Sequence, residues 1–363
     1  MTIGFLVNHM EQHGGIEKII SQKINAWIDL YNCKVILITK LQTQENFIYS
    51  IHQNCKHINL NIRYELNGKS KYLKNILAYR NFYQSIHKIL KEESIDILFT
   101  TLTGIDSLLV PLTNKKTAKV LEMHHSGHYL HKKTWKYKKY FIKKYDSVVV
   151  LNEDEKKYYG LENVAVIPNF IEDFRNKQNI QKQKIVISAG RIDPIKQFDH
   201  LIMAWSLIAK DFKDWKVHIY GNGDEQLLTF LQNLIKQKKL QENIEIFPAT
   251  SDFLLKLQES SIFAQVSESE CFPMVLLEAM QAGVPVIAYD CPNGPRNIIS
   301  TNVDGILVQK NQIEKFAEKL KTLILDTNLQ NKIAQNKEIK IEKFSRKRVM
   351  EQWKNLAEKL ING

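Results

Sequence analysis

The chain has 363 residues, more than one typical domain needs and enough for two of roughly 150 to 200 residues each. Apolar residues make up 44% of it, so two full cores can be built; without a long unbroken apolar run or a basic leader at MTIGFLVNHMEQH, a spanning helix or signal peptide is disfavoured and a cytoplasmic protein is expected. The net charge of +12 sits mainly in the first half, where residues 1–170 carry 24 Lys and Arg against 15 Asp and Glu, while 171–363 carry 27 against 24.

In chain order, Ile3–Val7 reads as a strand, Gly14–Gly15 (HGGIEK) as a glycine turn, Ile16–Tyr31 as a helix and Lys34–Thr39 as a second strand. A basic and aromatic stretch, Lys69 to Arg80, leads into a helix over Leu73–Lys91, and Ile95–Thr100 and Ala118–Glu122 follow as strands. His124, His125, His128 and His131 then crowd one segment. Their i, i+4 spacing would suit a metal, but no acidic partner stands at HExxH spacing, so a histidine touching a ligand is the better reading, beside that of solvated or core histidines. The run Lys132–Lys144 (KKTWKYKKYFIKK) suits an anionic membrane surface or a phosphate-bearing acceptor; no nucleic-acid motif accompanies it, and a solvated helix face is the plain alternative. Ser147–Leu151 and Val164–Ile167 close the first unit.

Glu172 to Gln183 is polar and aperiodic and reads as a linker. The pattern then restarts, with strands at Lys184–Ala189, Lys216–Tyr220, Ile244–Phe247, Ile262–Gln265, Val284–Ala288 and Gly305–Leu307, and helices at Phe198–Lys210, Glu225–Lys239 and Val275–Gln281. A final helix carries Val349, Trp353, Leu356 and Leu360 on one face behind Ser345 as N-cap. Strands alternating with amphipathic helices give an α/β chain of two doubly wound parallel sheets, whose ligands bind outside the carboxyl ends of the strands. The four cysteines form no CxxC pair and are expected as free thiols.

Three segments of the second unit carry the chemistry. In Ser267–Ala282 (SESECFPMVLLEAMQA), Glu270 follows a strand and Glu278 lies eight positions on. A helix starting near Pro273 would let both carboxylates face one side and would leave the N–H groups of Met274 and Val275 open to phosphate or sugar oxygens. In GRIDPIK, Arg191 and Lys196 stand at a strand end as a planar fork and a point charge, a pairing that suits a diphosphate. Two cations there would stabilise a leaving nucleoside diphosphate without a metal. Tyr220–Asp224 (YGNGD) places Gly221 and Gly223 where a backbone can approach a ligand. Neither GxGxxG nor a Walker sequence is present, which disfavours a dinucleotide oxidoreductase or P-loop enzyme.

Taken together, these segments resemble the large retaining glycosyltransferase family four. The matching text is GGIEK, VIPNF, SAGRIDPIKQFDHLIMAW, IYGNGDE, SESECFPMVLLEAMQAGVPVIAYD, GPRNII and NVDGILV, diffuse over 1–170 and strong over 184–308. The resemblance implies the GT-B fold, two Rossmann-like domains facing a central cleft: an acceptor domain over 1–171, a linker over 172–183, a donor domain over 184–344, and a terminal helix over 345–363 packing back on the first domain. It implies that Arg191 and Lys196 hold the donor diphosphate, Glu278 the ribose hydroxyls and Glu270 the hydroxyls of the transferred sugar. Gly14 and Gly15 approach the phosphates, and His125, with His124 as the competing choice, contacts the sugar near the anomeric centre. Gly221, Gly223, Phe272, Met274 and Val275 complete the donor-binding set.

Two departures stand out. Cys271 replaces the family's usual glycine, and the loop FPATSD at 247–252, to which base recognition is loosely assigned, lacks its common glycine. The expected activity is metal-independent, retaining transfer of a hexose or N-acetylhexosamine from a nucleotide diphosphate sugar, with a UDP-sugar favoured, to a lipid-linked or polysaccharide acceptor in cell-surface glycan synthesis. A sugar-nucleotide epimerase on the same fold and a non-catalytic nucleotide-sugar binding protein are the rivals.

Overall fold

The computed structural model describes every residue except 13, 45, 66–70, 128–137, 174–179 and 337, and the side chains of 71–74, 338 and 339. His128, His131, Lys132 to residue 137 and the middle of the segment read as a linker lie outside the described residues. The chain divides into two compact units, one of residues 1–170 with 346–363 and one of residues 171–345.

The first unit runs β1 (Thr2–Val7), α1 (Gly15–Tyr31), β2 (Lys34–Thr39), β3 (Lys56–Asn59), α2 (Lys71–Glu92), β4 (Ile97–Thr100), α3 (Asp106–Leu109), β5 (Ala118–Met123), β6 (Ser147–Val150), α4 (Glu153–Tyr159) and β7 (Val164–Val166). Its seven strands are ordered β3-β2-β1-β4-β5-β6-β7, and every pairing is parallel. Burial on both faces explains why β2, β4 and β6 read as unbroken apolar runs. The exception is β3, a largely exposed edge strand of sequence KHIN, whose polar composition gave no strand signal. Helix α1 sends Ile20, Ile24 and Trp27 into one core, and the terminal helix (Arg346–Asn362) adds Val349, Met350, Trp353 and Ala357 to it. The Trp353 ring meets Phe99 edge-on at 5.3 Å.

The second unit runs β8 (Gln183–Ala189), α5 (Phe198–Ile208), β9 (Lys216–Tyr220), α6 (Glu225–Gln237), β10 (Ile244–Phe247), α7 (Phe253–Glu259), β11 (Ser260–Gln265), α8 (Met274–Gln281), β12 (Val286–Asp290), β13 (Ile306–Gln309), α9 (Ile313–Leu325), α10 (Thr327–Gln335) and α11 (Glu338–Lys343). The order β10-β9-β8-β11-β12-β13 is again all parallel. Strand β12 starts later than expected because Pro285 has no N–H to give the ladder. Asp224 caps α6 by accepting the N–H of Leu227 at 2.8 Å. In both units the order reverses beside the first strand, between β1 and β4 and between β8 and β11, and ligands of doubly wound sheets sit at this switch point.

Candidate active site

In the second unit the loops leaving β8 and β11 flank the switch point, and they bring Lys196 and Glu270 together. The Lys196 Nζ donates to Glu270 Oε1 at 2.6 Å, with the side chains 24% and 11% exposed. The same oxygen accepts Gln265 Nε2 at 2.8 Å and Ser267 Oγ at 2.7 Å. Both of those residues are buried, so the carboxylate is held in one orientation while the ammonium stays reachable from solvent. Local turns set this up. Asp193 accepts the N–H of Ile195 at 2.9 Å and starts the single 3₁₀ turn Pro194–Lys196. Gly190 leaves space for the lysine stem, since a Cβ there would lie 3.2 Å from Lys196 Cδ and Cε. The Glu268 N–H donates to Ile195 O at 2.8 Å, joining the two loops.

Arg191 goes elsewhere. Its Nη2 and Nε donate to Asp193 Oδ2 at 2.8 and 3.2 Å, and its side chain is 72% exposed. The fork expected on a diphosphate is therefore held by a neighbouring carboxylate, which is cheap to exchange at such exposure. Gly221 and Gly223 have a packing reason of their own. A Cβ on them would lie 1.9 Å from Gly190 O and 2.1 Å from Ile192 O, because the turn 221–223 bonds directly to 190–192 through Ile192 N–H to Asn222 O at 2.8 Å.

Helix α8 begins at Met274 behind Pro273, and Met274, Val275 and Glu278 share its half-buried side, while Leu276, Leu277, Ala279 and Met280 enter the core. Phe272 is buried edge-on against Phe344 at 5.4 Å and serves packing. Cys271 is half-buried. Burial, and after it the Glu270 charge, push the Cys291 thiol up to about 12, so it stays protonated beside the carboxylate. Gln265, Ser267 and Gly294 were not singled out from the sequence. A Cβ on Gly294 would lie 2.5 Å from Glu270 Cβ and 2.9 Å from its carbonyl oxygen, so the turn after β12 braces Glu270 from behind. The one available signal was the Gly-Pro of GPRNII following a strand.

A hollow of about 400 Å³ runs along β8, β9 and β10, lined by His218, Tyr220, Phe247, Thr250 and Lys256. It reaches the 247–252 loop, but neither Lys196 nor Glu270 lines it.

In the first unit Gly14 precedes α1, and a Cβ there would lie 2.0 Å from Glu17 Oε2, so this glycine makes room for a carboxylate of the first turn; Gly15 has open space around it. The structure separates the two histidines. His124 Nε2 lies 3.1 Å from Glu122 Oε2, and Lys23 Nζ donates to Glu122 Oε1 at 2.6 Å, with Lys23 and Glu122 each 1% exposed. The ammonium also sits 3.3 Å over the Trp353 ring. Burial pushes Lys23 down to about 8 against the pull of Glu122. Burial would raise Glu122, yet the Lys23 charge and the His124 contact outweigh it and hold the carboxyl below its ordinary value. His125, by contrast, is exposed and lines a cavity of about 210 Å³ with Thr103, Ser126, Lys138 and Tyr159.

Residues 170–340 match the family described as glycosyl transferases group 1. An uncharacterized glycosyltransferase of Haemophilus influenzae is 27% identical over 371 residues, covering 98% of this chain and 99% of its own. The GalNAc-alpha-(1->4)-GalNAc-alpha-(1->3)-diNAcBac-PP-undecaprenol alpha-1,4-N-acetyl-D-galactosaminyltransferase of Campylobacter jejuni is 24% identical with all of both chains covered. Among solved structures, a mutant of Staphylococcus aureus TarM in complex with fondaparinux, alpha-GlcNAc-glycerol and UDP superposes with a TM-score of 0.82 at 18% identity, with all of both chains covered.

Proposed function

Because residues 170–340 belong to the glycosyl transferases group 1 family and the chain has the GT-B fold, we propose that this glycosyltransferase transfers with retention of configuration, moving a hexose or N-acetylhexosamine from a nucleotide diphosphate sugar, a UDP-sugar first, to a lipid-linked or polysaccharide acceptor. The observation that carries the reading is the 2.6 Å pair of Lys196 and Glu270 at the switch point of the second sheet. On this reading the donor diphosphate draws on the Lys196 ammonium and on the open N–H groups at the start of α8. As the glycosidic bond breaks, negative charge builds on the departing phosphate, and a cation already in place stabilises that state more than the ground state. Glu270, fixed by Gln265, Ser267 and Lys196, keeps an acceptor-only carboxylate for the hydroxyls of the transferred sugar. Glu278 takes the ribose diol. The departing phosphate helps remove the proton of the incoming hydroxyl on the same face, and the charge carried by Lys196 makes a metal unnecessary.

The undecaprenol-linked substrate named for the Campylobacter relative and the UDP in the TarM complex support a lipid-linked or glycan acceptor and a UDP donor. Cell-surface glycan assembly is the setting this fits. The test is thermal stabilisation against a panel of sugar nucleotides without added metal. The correct donor at a hundredfold excess over its dissociation constant should stabilise the protein by about 2.7 kcal/mol, and the shift should vanish in Lys196→Ala. A panel without any shift would refute the donor reading. A metal-dependent shift would refute the metal-free mechanism.

A further inference from the structure

Two histidines follow one another at the carboxyl end of β5, and strand alternation sends them to opposite faces of the sheet. Leu121, Met123 and His125 line the cavity of about 210 Å³. Val120 enters the core beneath α1 and the terminal helix, and Glu122 and His124 follow it to that side. Fixing the ring of His124 on one face therefore fixes the direction in which the next residue leaves on the other.

The fixing is done by charge. Glu122 uses both of its oxygens in the buried layer, Oε1 for the Lys23 ammonium at 2.6 Å and Oε2 for His124 at 3.1 Å, and the His124 side chain is only 5% exposed. An ionised carboxylate accepts and cannot donate, so His124 donates through Nε2. The carboxylate is itself clamped, because the Lys23 ammonium lies 3.3, 5.2 and 5.6 Å from the rings of Trp353, Phe99 and Phe5. Beyond His125 the chain is tied a second time. The Gly127 N–H donates to Glu155 Oε2 at 2.9 Å and Tyr159 Oη donates to the His125 carbonyl at 3.4 Å, and Glu155 and Tyr159 on α4 are each 1% exposed.

Stability does not account for the ion pair. Apolar residues of similar volume serve a buried position as well or better, and Lys23 and Glu122 interrupt an otherwise apolar helix face and strand. What the pair supplies is direction, since a charged acceptor orients the imidazole in a way that packing alone would not. We propose that Lys23, Glu122 and His124 are positioning residues for His125, with Trp353 of the terminal helix closing the layer over the ammonium. The functional consequence rests on the reading of His125 as the histidine that contacts the transferred sugar. A side chain displaced by about 1 Å at the reacting centre costs on the order of 10²-fold in rate, so the layer acts on turnover while the diphosphate contacts in the second unit stay intact.

Because losing Lys23 or Glu122 alone strands a buried charge, the test is made at His124. His124→Leu removes the donor, and His124→Gln sets an amide Nε2 close to where the imidazole Nε2 stands. The full chain carrying isotope-labelled histidine is studied by NMR without sugar nucleotide, the His125 ring signals being assigned from His125→Ala. Those signals should shift or broaden in His124→Leu and return toward their wild-type positions in His124→Gln. In steady-state transfer, His124→Leu should lower kcat about tenfold or more with the donor KM within about twofold, and His124→Gln should recover most of the loss. Unchanged His125 signals in His124→Leu overturn the proposal, as does a loss of kcat that His124→Gln fails to recover. Should His125→Ala turn over like the wild type while the spectra change as expected, the sugar contact falls and the positioning stands, so the two failures are told apart.

Discussion

Glu270 Oε1 accepts from three donors, one of them a lysine whose remaining two protons are left for a ligand. On the proposed reading Lys196 serves both Glu270 and the donor, and truncating it removes a preorganised cation and unbalances the carboxylate. Lys196→Ala should lower transfer by about 10²-fold or more in a steady-state assay, and near-normal turnover would contradict the assignment. Gly294 acts on the same carboxylate by contact alone. Its alanine variant places a methyl group 2.5 Å from Glu270 Cβ, so the backbone must yield there. The expected cost is about 1–3 kcal/mol of stability with a loss of about tenfold to a hundredfold in kcat/KM, read by thermal melting and donor kinetics. Lys196 and Glu270 were legible in the sequence because charged side chains at strand ends advertise themselves. Gln265, Ser267 and Gly294 were not, since a residue that only orients another looks like ordinary strand or turn.

Helices and strands with a strong period were equally legible. The apolar runs of β2 and β9 and the amphipathic face of α1 appear where the sequence places them, because both faces of a parallel strand and one face of its crossover helix must be apolar. Short or polar elements escaped, namely the edge strand β3 and the helices α3, α4 and α7, which are held by packing more than by their own pattern, whereas the 13-residue α9 has a helical period of its own and buries Phe316, Leu320 and Leu323 on one face. Lys23 breaks the apolar face of α1. Its ion pair with Glu122 is fully buried, and removing one member strands the other charge, so Lys23→Met should destabilise the first unit by about 3–5 kcal/mol in denaturant melts. Joint replacement by Met and Leu should cost less than the single change. The acid side follows from Glu122. Its folded carboxyl titrates below the ordinary 4.5, so as pH falls through that window the unfolded chain binds the proton first. Stability from this group is present above the window and lost beneath it, and melts between about pH 6 and 3 should fall more steeply for the wild type than for Glu122→Gln.

At the scale of the whole chain, the terminal helix is counted with residues 1–170 although 175 residues of the other unit intervene. Val349, Met350 and Trp353 fill the α1 core, and Trp353 covers the Lys23 ammonium. Deleting 346–363 should therefore open the first unit and leave the second folded. Hydrogen exchange would show lost protection in β1, α1 and β4 with β8 to β13 unchanged; uniform loss in both units would contradict this division.

The sequence by itself determined the class of the fold and the chemical types at the strand ends. Hydrophobic period is a local property, and strand-end charges stand beside the turns that expose them. Only the tertiary structure decided which of two adjacent histidines contacts the buried Glu122 carboxylate and which lines a cavity. It alone showed that Arg191 rests on Asp193, and that the glycines of YGNGD serve a backbone contact. Each of these depends on atoms brought together from far along the chain, and no spacing in one segment encodes what the folded neighbour will place opposite it.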